Sequence, residues 1–142
     1  MAQARKFILT DSSVLVSYIV EEDANHKIAV DFIENVDFDT YIILPPLCVY
    51  EISVTLSKNG TKEDIIESRI GDLLKSLRVI VAQLNDLQFF KNINILSTGK
   101  NIGTHDFYIL QTAIQFDIPI YTFDKKFVAH SVGVYGKIAL LE

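Results

Sequence analysis

Between Thr104 and Phe127 the chain reads THDFYILQTAIQFDIPIYTFDKKF, a helix, a tight turn and a strand in immediate succession. Thr104 is a residue type that can cap a helix, because its hydroxyl can accept a bond from a free amide of the first turn. Ile109, Leu110, Ala113, Ile114 and Phe116 then recur at helical spacing. Asp117-Ile118-Pro119 stops the helix, since proline disfavours helical geometry at the residue before it. Ile120-Tyr121-Thr122-Phe123 is short, apolar and aromatic, as a buried strand must be. This unit sets the frame for the rest.

The preceding chain repeats the alternation. Lys6 to Thr10 reads as a strand, and Asp11-Ser12-Ser13 leads into a helix over Val14 to Val20 that Ser12 or Ser13 could cap. Glu21-Glu22-Asp23 is a solvated break, and His26 to Val36 forms an amphipathic helix with Ile28, Ala29, Phe32 and Ile33 on its apolar face and His26 exposed. Tyr41 to Leu44 is a second strand ended by Pro45-Pro46, and Leu47 to Leu56 is a helix closed by Asn59-Gly60. A helix from Thr61 to about Leu77, a strand over Arg78 to Val81 and a helix over Leu84 to Leu96 follow. Residues 97–103 form a loop without the glycine and lysine spacing of a phosphate-binding loop, and a last strand falls near Lys137 to Leu141. Strands separated by helices imply right-handed crossovers and a parallel sheet. The expected fold is a three-layer α/β/α domain around a central, mainly parallel sheet of four to five strands, with residues 1–142 forming one domain.

Composition narrows the function classes. With 142 residues, 49% apolar, the chain can bury a sizeable core. Its apolar runs are too short to span a bilayer, and MAQARKFILTDSS lacks the long apolar region of a secretory signal, so a cytoplasmic protein is expected. The single cysteine, Cys48, suits a small buried hydrophobe and excludes an internal disulfide and cysteine-rich zinc sites. A net charge of -5 argues against a broad basic surface for nucleic acid, though not against an enzyme whose own acids carry that charge.

Four acids stand out. Asp11 and Asp124 each follow the carboxyl end of a strand, where open α/β sheets place their chemistry. Asp106 opens the helix that leads to the Asp124 strand, and Glu51 is the only charged residue between Asp39 and Lys58, inside an apolar helix. Taken singly, Asp106 also serves as a first-turn acid favoured by the helix dipole, Asp124 as a turn residue and Glu51 as a solvent-facing one. His105 does not pair with Asp106 by adjacency alone, because successive helical residues point about 100° apart. Lys100, Lys125 and Lys126 can touch phosphates or lie on a solvated surface. If the strands are parallel neighbours, the four acids can converge on one sheet edge, where they repel one another unless a hard divalent cation such as magnesium or manganese lies between them. Such an ion can generate hydroxide and stabilise a leaving oxygen in phosphodiester hydrolysis.

The order and spacing of Ile8-Leu9-Thr10-Asp11-Ser12-Ser13-Val14-Leu15, of Glu51 in its apolar helix, of Thr104-His105-Asp106 and of Thr122-Phe123-Asp124-Lys125-Lys126-Phe127 resemble a PIN domain, most closely the VapC-type toxins of prokaryotic toxin–antitoxin pairs. The resemblance covers essentially the whole chain. It implies a Mg2+- or Mn2+-dependent endoribonuclease with Asp11, Glu51, Asp106 and Asp124 as metal-site and catalytic acids. Ser13 and Thr122 would orient them. It further implies an RNA substrate, a homodimer and a small antitoxin whose peptide tail covers the site. The alternative is a PIN-like RNA- or protein-binding module with little or no catalysis. A dehalogenase-type phosphatase is disfavoured, since Ser13 stands where it needs a second acid, and a response regulator lacks its acid pair at Thr10-Asp11.

Overall fold

The computed structural model describes residues 5–76, 79–82 and 101–142. In chain order these form β1 (Lys6–Thr10), α1 (Ser12–Ile19), α2 (His26–Glu34), β2 (Thr40–Leu44), α3 (Pro46–Lys58), α4 (Glu63–Ser76), β3 (Val79–Val81), α5 (Thr104–Phe116), β4 (Ile120–Thr122), α6 (Lys125–Ser131) and β5 (Ile138–Leu140). The helix expected over Leu84 to Leu96 lies outside the described residues.

The five strands build one parallel sheet in the order β3-β2-β1-β4-β5, the central layer of the expected three-layer α/β/α fold. Lys6 pairs with Thr40 and Leu9 with Ile43 on one side of β1, and Leu9 pairs with Ile120 and Thr10 with Tyr121 on the other. The chain grows outward from β1 in one direction through β2 and β3, then returns to its other side with β4 and β5. The order therefore reverses between β1 and β4. In open α/β sheets the crevice outside the carboxyl ends of the strands at such a reversal is where ligands bind.

Each element is traceable to its residues. Pro46 sits in the first turn of α3, where its missing amide costs nothing and its fixed φ suits a helix. Cys48, Ile52 and Leu56, one helical turn apart, are all buried along a single stripe of α3. The helix stops at Gly60, which takes a φ of 79° while the Thr61 amide bonds back to the Leu56 carbonyl at 3.1 Å. α5 ends the same way, with Asp117 at φ 53° and the Ile118 amide 3.1 Å from the Ala113 carbonyl. That left-handed residue turns the chain so that Pro119 and Ile120 enter β4 beside β1, the Leu9 amide donating to the Pro119 carbonyl at 2.8 Å. Val14 and Leu15 of α1, Ile109 and Leu110 of α5, Ile120 of β4 and Phe127 of α6 close the core with essentially no exposure. Side chains of this kind contribute about 1.5–3 kcal/mol each on full burial.

The structure departs from the sequence expectations in four places. Thr104 is the first helical residue of α5 rather than its cap, which is Gly103. Ser12 and Ser13 lie inside α1, and Asp11 is the N-cap residue. His26 is half-buried and its Nδ1 lies 2.8 Å from the Ser17 carbonyl oxygen, joining α2 to α1. Lys125 to Ser131 form a short helix where the sequence suggested no element, and His130 on it is exposed.

Candidate metal centre

The reversal between β1 and β4 places two acids at adjacent strand ends. Asp11 leaves β1 directly, and its amide reaches the Tyr121 carbonyl of β4 at 3.4 Å. Asp124 stands two residues beyond β4, at the N-cap of α6. Asp11 is only 6% exposed. Its two carboxylate oxygens are held symmetrically: the Ser13 hydroxyl donates to Oδ1 and the Thr122 hydroxyl to Oδ2, each at 2.5 Å. Both hydroxyls also accept backbone amides from the loop after β4, Ser13 from Phe123 at 3.3 Å and Thr122 from Asp124 at 3.0 Å. The loop after β4 is thereby tied to the Asp11 carboxylate through two relays. Bonds of this kind fix a carboxylate's orientation before any ligand arrives.

Burial pushes the Asp11 carboxyl above the usual carboxylate range, the Ser13 and Thr122 hydroxyls and the Val14 amide pull it back, and the negative charge of Asp124 raises it further. Asp124 itself is exposed, and its Oδ1 accepts the Lys126 and Phe127 amides at 2.9 and 3.0 Å, capping α6. Both bonds fall on Oδ1, and among the described residues no hydrogen bond engages Oδ2. The capping role expected of an ordinary turn acid and a place beside Asp11 are therefore held by the same residue.

Glu51 and Asp106 come from α3 and α5. Glu51 precedes the buried Ile52, so it emerges at the flank of the stripe α3 presents to the core. It does not point freely into solvent. The Ser12 hydroxyl donates to its Oε2 at 2.7 Å, and the His105 Nε2 lies 2.5 Å from its Oε1, a contact without the alignment of a hydrogen bond. The other ring nitrogen of His105, Nδ1, lies 3.3 Å from Asp106 Oδ1. Adjacency in the helix did lead to a contact here, because the ring reaches across between the two acids. Burial raises the Asp106 carboxyl above its usual range; His105 lowers it, and the charges of Asp124 and Glu51 raise it. Cys48, a turn before Ile52, lies buried within the field of Asp11 and Glu51; burial, then those two charges, push its thiol far above the usual thiol range, which leaves it unreactive.

The four acids are thus brought within one electrostatic neighbourhood: Asp124 acts on both Asp11 and Asp106, and Glu51 on Asp106. Among the described residues no lysine or arginine pairs with any of them. Nor do three acidic, histidine or cysteine side chains among the described residues form a ready cage for an ion as they stand. The donor chemistry nevertheless fits a hard divalent cation, since every acid offers carboxylate oxygens and no lysine or arginine among the described residues pairs with them. Two contributors were not singled out from the sequence, Ser12 as a partner of Glu51 and His105 as a bridge. The consecutive serines carry the signal for the first: residues 12 and 13 point about 100° apart at the start of a helix, so each reaches a different carboxylate.

Comparisons with known proteins agree with this architecture. VapC20 of Mycobacterium tuberculosis, a toxin that cleaves the sarcin-ricin loop, superposes with a TM-score of 0.70 at 16% identity over 86% of this chain and 93% of its own. VapBC-1 of nontypeable Haemophilus influenzae gives 0.66 at 16% identity over 94% and 97%. FitAcB of Neisseria gonorrhoeae gives 0.63 at 17% identity over 95% and 96%. At such identities these likenesses concern the fold. No curated protein matches the sequence. The PIN domain family, however, matches residues 8–132, a span that holds both strand-end acids, Glu51 and Asp106, and the chain belongs to that family.

Proposed function

We propose that this chain is a Mg2+- or Mn2+-dependent endoribonuclease and the toxin of a toxin–antitoxin pair. The observation that carries the reading is the Asp11 carboxylate, buried at the sheet's reversal point, oriented by two hydroxyls and unneutralised by any basic side chain among the described residues. A buried charge of this kind is costly unless something pairs with it. Asp11, Glu51, Asp106 and Asp124 would hold the cation, and when bound it would supply a more acidic water and charge stabilisation at the scissile phosphate.

The chain's own groups do the rest. Ser13 and Thr122 keep both Asp11 oxygens aimed while the loop after β4 stays fixed. Asp124 caps α6 through Oδ1, and among the described residues no hydrogen bond engages its Oδ2. Lys125 and Lys126, both exposed in the first turn of α6, offer positive charge next to Asp124 for an RNA backbone that the acids would otherwise repel. Residues 1–142 would act as one PIN-like domain in the cytoplasm, as a homodimer, with a small antitoxin partner; the toxin–antitoxin assemblies among the similar folds support the partner, and no helix among the described residues is long and apolar enough to cross a membrane.

The test is cleavage of total cellular RNA by purified protein with magnesium or manganese and with EDTA, beside Asp11→Asn and Asp106→Asn. Cutting that needs metal and is lost in both variants is expected. Cutting that survives both variants would place the centre elsewhere. No cutting by a form that still binds manganese would favour a binding module over an enzyme.

A further inference from the structure

Resting on the proposed metal centre, we infer that His105 is an intramolecular occupant of it, a side chain that spans Glu51 and Asp106 and has to leave before a cation can bind both. Three observations carry this. Its two ring nitrogens face two different acids, Nε2 at 2.5 Å from Glu51 Oε1 and Nδ1 at 3.3 Å from Asp106 Oδ1, on two separate helices. The Nε2 atom is shielded from solvent yet lacks an aligned hydrogen bond, so no well-formed bond at that nitrogen holds the ring in place. The His105 side chain as a whole is 36% exposed, which gives it a solvent side to swing toward.

The consequence is competitive. With the imidazole in place, Oε1 of Glu51 and Oδ1 of Asp106 both face a ring nitrogen, and the acids do not gather into an ion cage. Ser12 holds the other Glu51 oxygen, so Glu51 is clamped from both sides. The ring makes no hydrogen bond to Asp11 or Asp124, whose partners among the described residues are Ser13, Thr122, the Val14 amide and the α6 amides. The centre is therefore split into a half prepared by hydroxyls and a half closed by His105. A ligand that binds only the open form has its apparent affinity reduced by the open fraction. An RNA or protein group that draws the ring outward would then load the metal and license the site together.

The experiment titrates Mn2+ alone into the wild-type chain, His105→Ala, His105→Asn and Asp11→Asn by calorimetry, with the metal-induced shift in melting temperature as a second readout and circular dichroism to confirm folding. If the ring occupies the site for about nine-tenths of the time, His105→Ala binds Mn2+ roughly tenfold more tightly. His105→Asn, which keeps a donor for only one acid, falls between the two, and Asp11→Asn loses binding. Equal or weaker Mn2+ binding by His105→Ala, with binding still lost in Asp11→Asn, overturns the occupant role and leaves the metal centre standing. Absence of Mn2+ binding in every form overturns the metal centre itself, and the occupant role with it. Binding by His105→Ala where the wild type shows none is the strongest support.

Discussion

Replacing Thr122 by valine keeps the shape of a strand residue and removes one oxygen. Thr122 has no exposure, so water cannot take that oxygen's place. The hydroxyl donates to Asp11 Oδ2 at 2.5 Å and accepts the Asp124 amide at 3.0 Å. A hydrogen bond to a charged group contributes about 1.5–3 kcal/mol, and an unsatisfied buried donor costs about 1–3 kcal/mol. Asp124 is exposed, so its amide can recover a water and the second contribution lies at the low end. The expected loss is about 3 kcal/mol. For a chain of this length each kcal/mol moves the melting temperature by roughly 2–4 °C, so calorimetric melting without metal should show a drop of roughly 6–12 °C. Thr122→Ser keeps the oxygen and loses one methyl, at about 1 kcal/mol. If Thr122→Val melts within about 2 °C of the wild type, or lower-melting behaviour is shared equally by Thr122→Ser, the hydroxyl relay does not hold Asp11 as described. The same substitution should weaken Mn2+ binding by roughly 10–100-fold, since it frees one oxygen of the central acid.

Other expectations follow from single residues. A buried acid whose proton affinity rises on folding costs stability as pH climbs from its unfolded value of 3.8 through its higher folded value, because the unfolded state then holds fewer protons. The melting temperature of Asp11→Asn minus that of the wild type, without metal, should therefore grow as pH rises above about 4 and level off once the folded carboxyl has ionised; a pH-independent difference would contradict the burial of a charged Asp11. Asp117 holds φ 53° at the end of α5, and its ion pair with Lys137, 2.6 Å long, is exposed on both sides. Asp117→Asn should cost at most about 1 kcal/mol, whereas β-branched Asp117→Val should cost about 1–2 kcal/mol more by denaturant unfolding, since only the latter resists a left-handed backbone. Phe127, 1% exposed beneath the Asp124 cap, should cost about 3–5 kcal/mol as alanine in the same assay, against under 0.5 kcal/mol for exposed Lys126→Ala.

The sheet was legible because its strands are short apolar runs bounded by strong stops. Pro45-Pro46, Asn59-Gly60 and Asp117-Ile118-Pro119 each end an element where the structure ends it, within a residue or two. Parallel pairing followed from the intervening helices alone. The four acids were legible for the same reason: a charge just past a buried strand, or inside an apolar helix, is a local anomaly that one sequence displays. Hydrogen-bond partners across the fold were not. Glu51 meets Ser12 from 39 positions away and Thr122 meets Asp11 from 111 away, and no periodicity encodes such contacts. The bridge made by His105 was set aside because neighbouring helical side chains diverge; the length of the ring and the approach of α3 overrode that rule. The capping serines misled for a related reason. Serine favours helix starts because it bonds to backbone amides, but here two carboxylates offered stronger acceptors and took both hydroxyls. α6 went unread because its seven residues open with two lysines and bury little beyond Phe127 and Ser131.

The central claim is that Asp11, Glu51, Asp106 and Asp124 serve one cation. The measurement that addresses it most directly is anomalous diffraction from a crystal of the protein grown with Mn2+. The account predicts a peak within about 2.2 Å of an Asp11 oxygen, shared with at least one of Asp106, Asp124 and Glu51, with His105 displaced from the bridge wherever Glu51 and Asp106 both bind. A manganese ion on other acids, such as the exposed Asp64, Glu67 and Asp72 of α4, with Asp11 held by its protein partners alone, would contradict it.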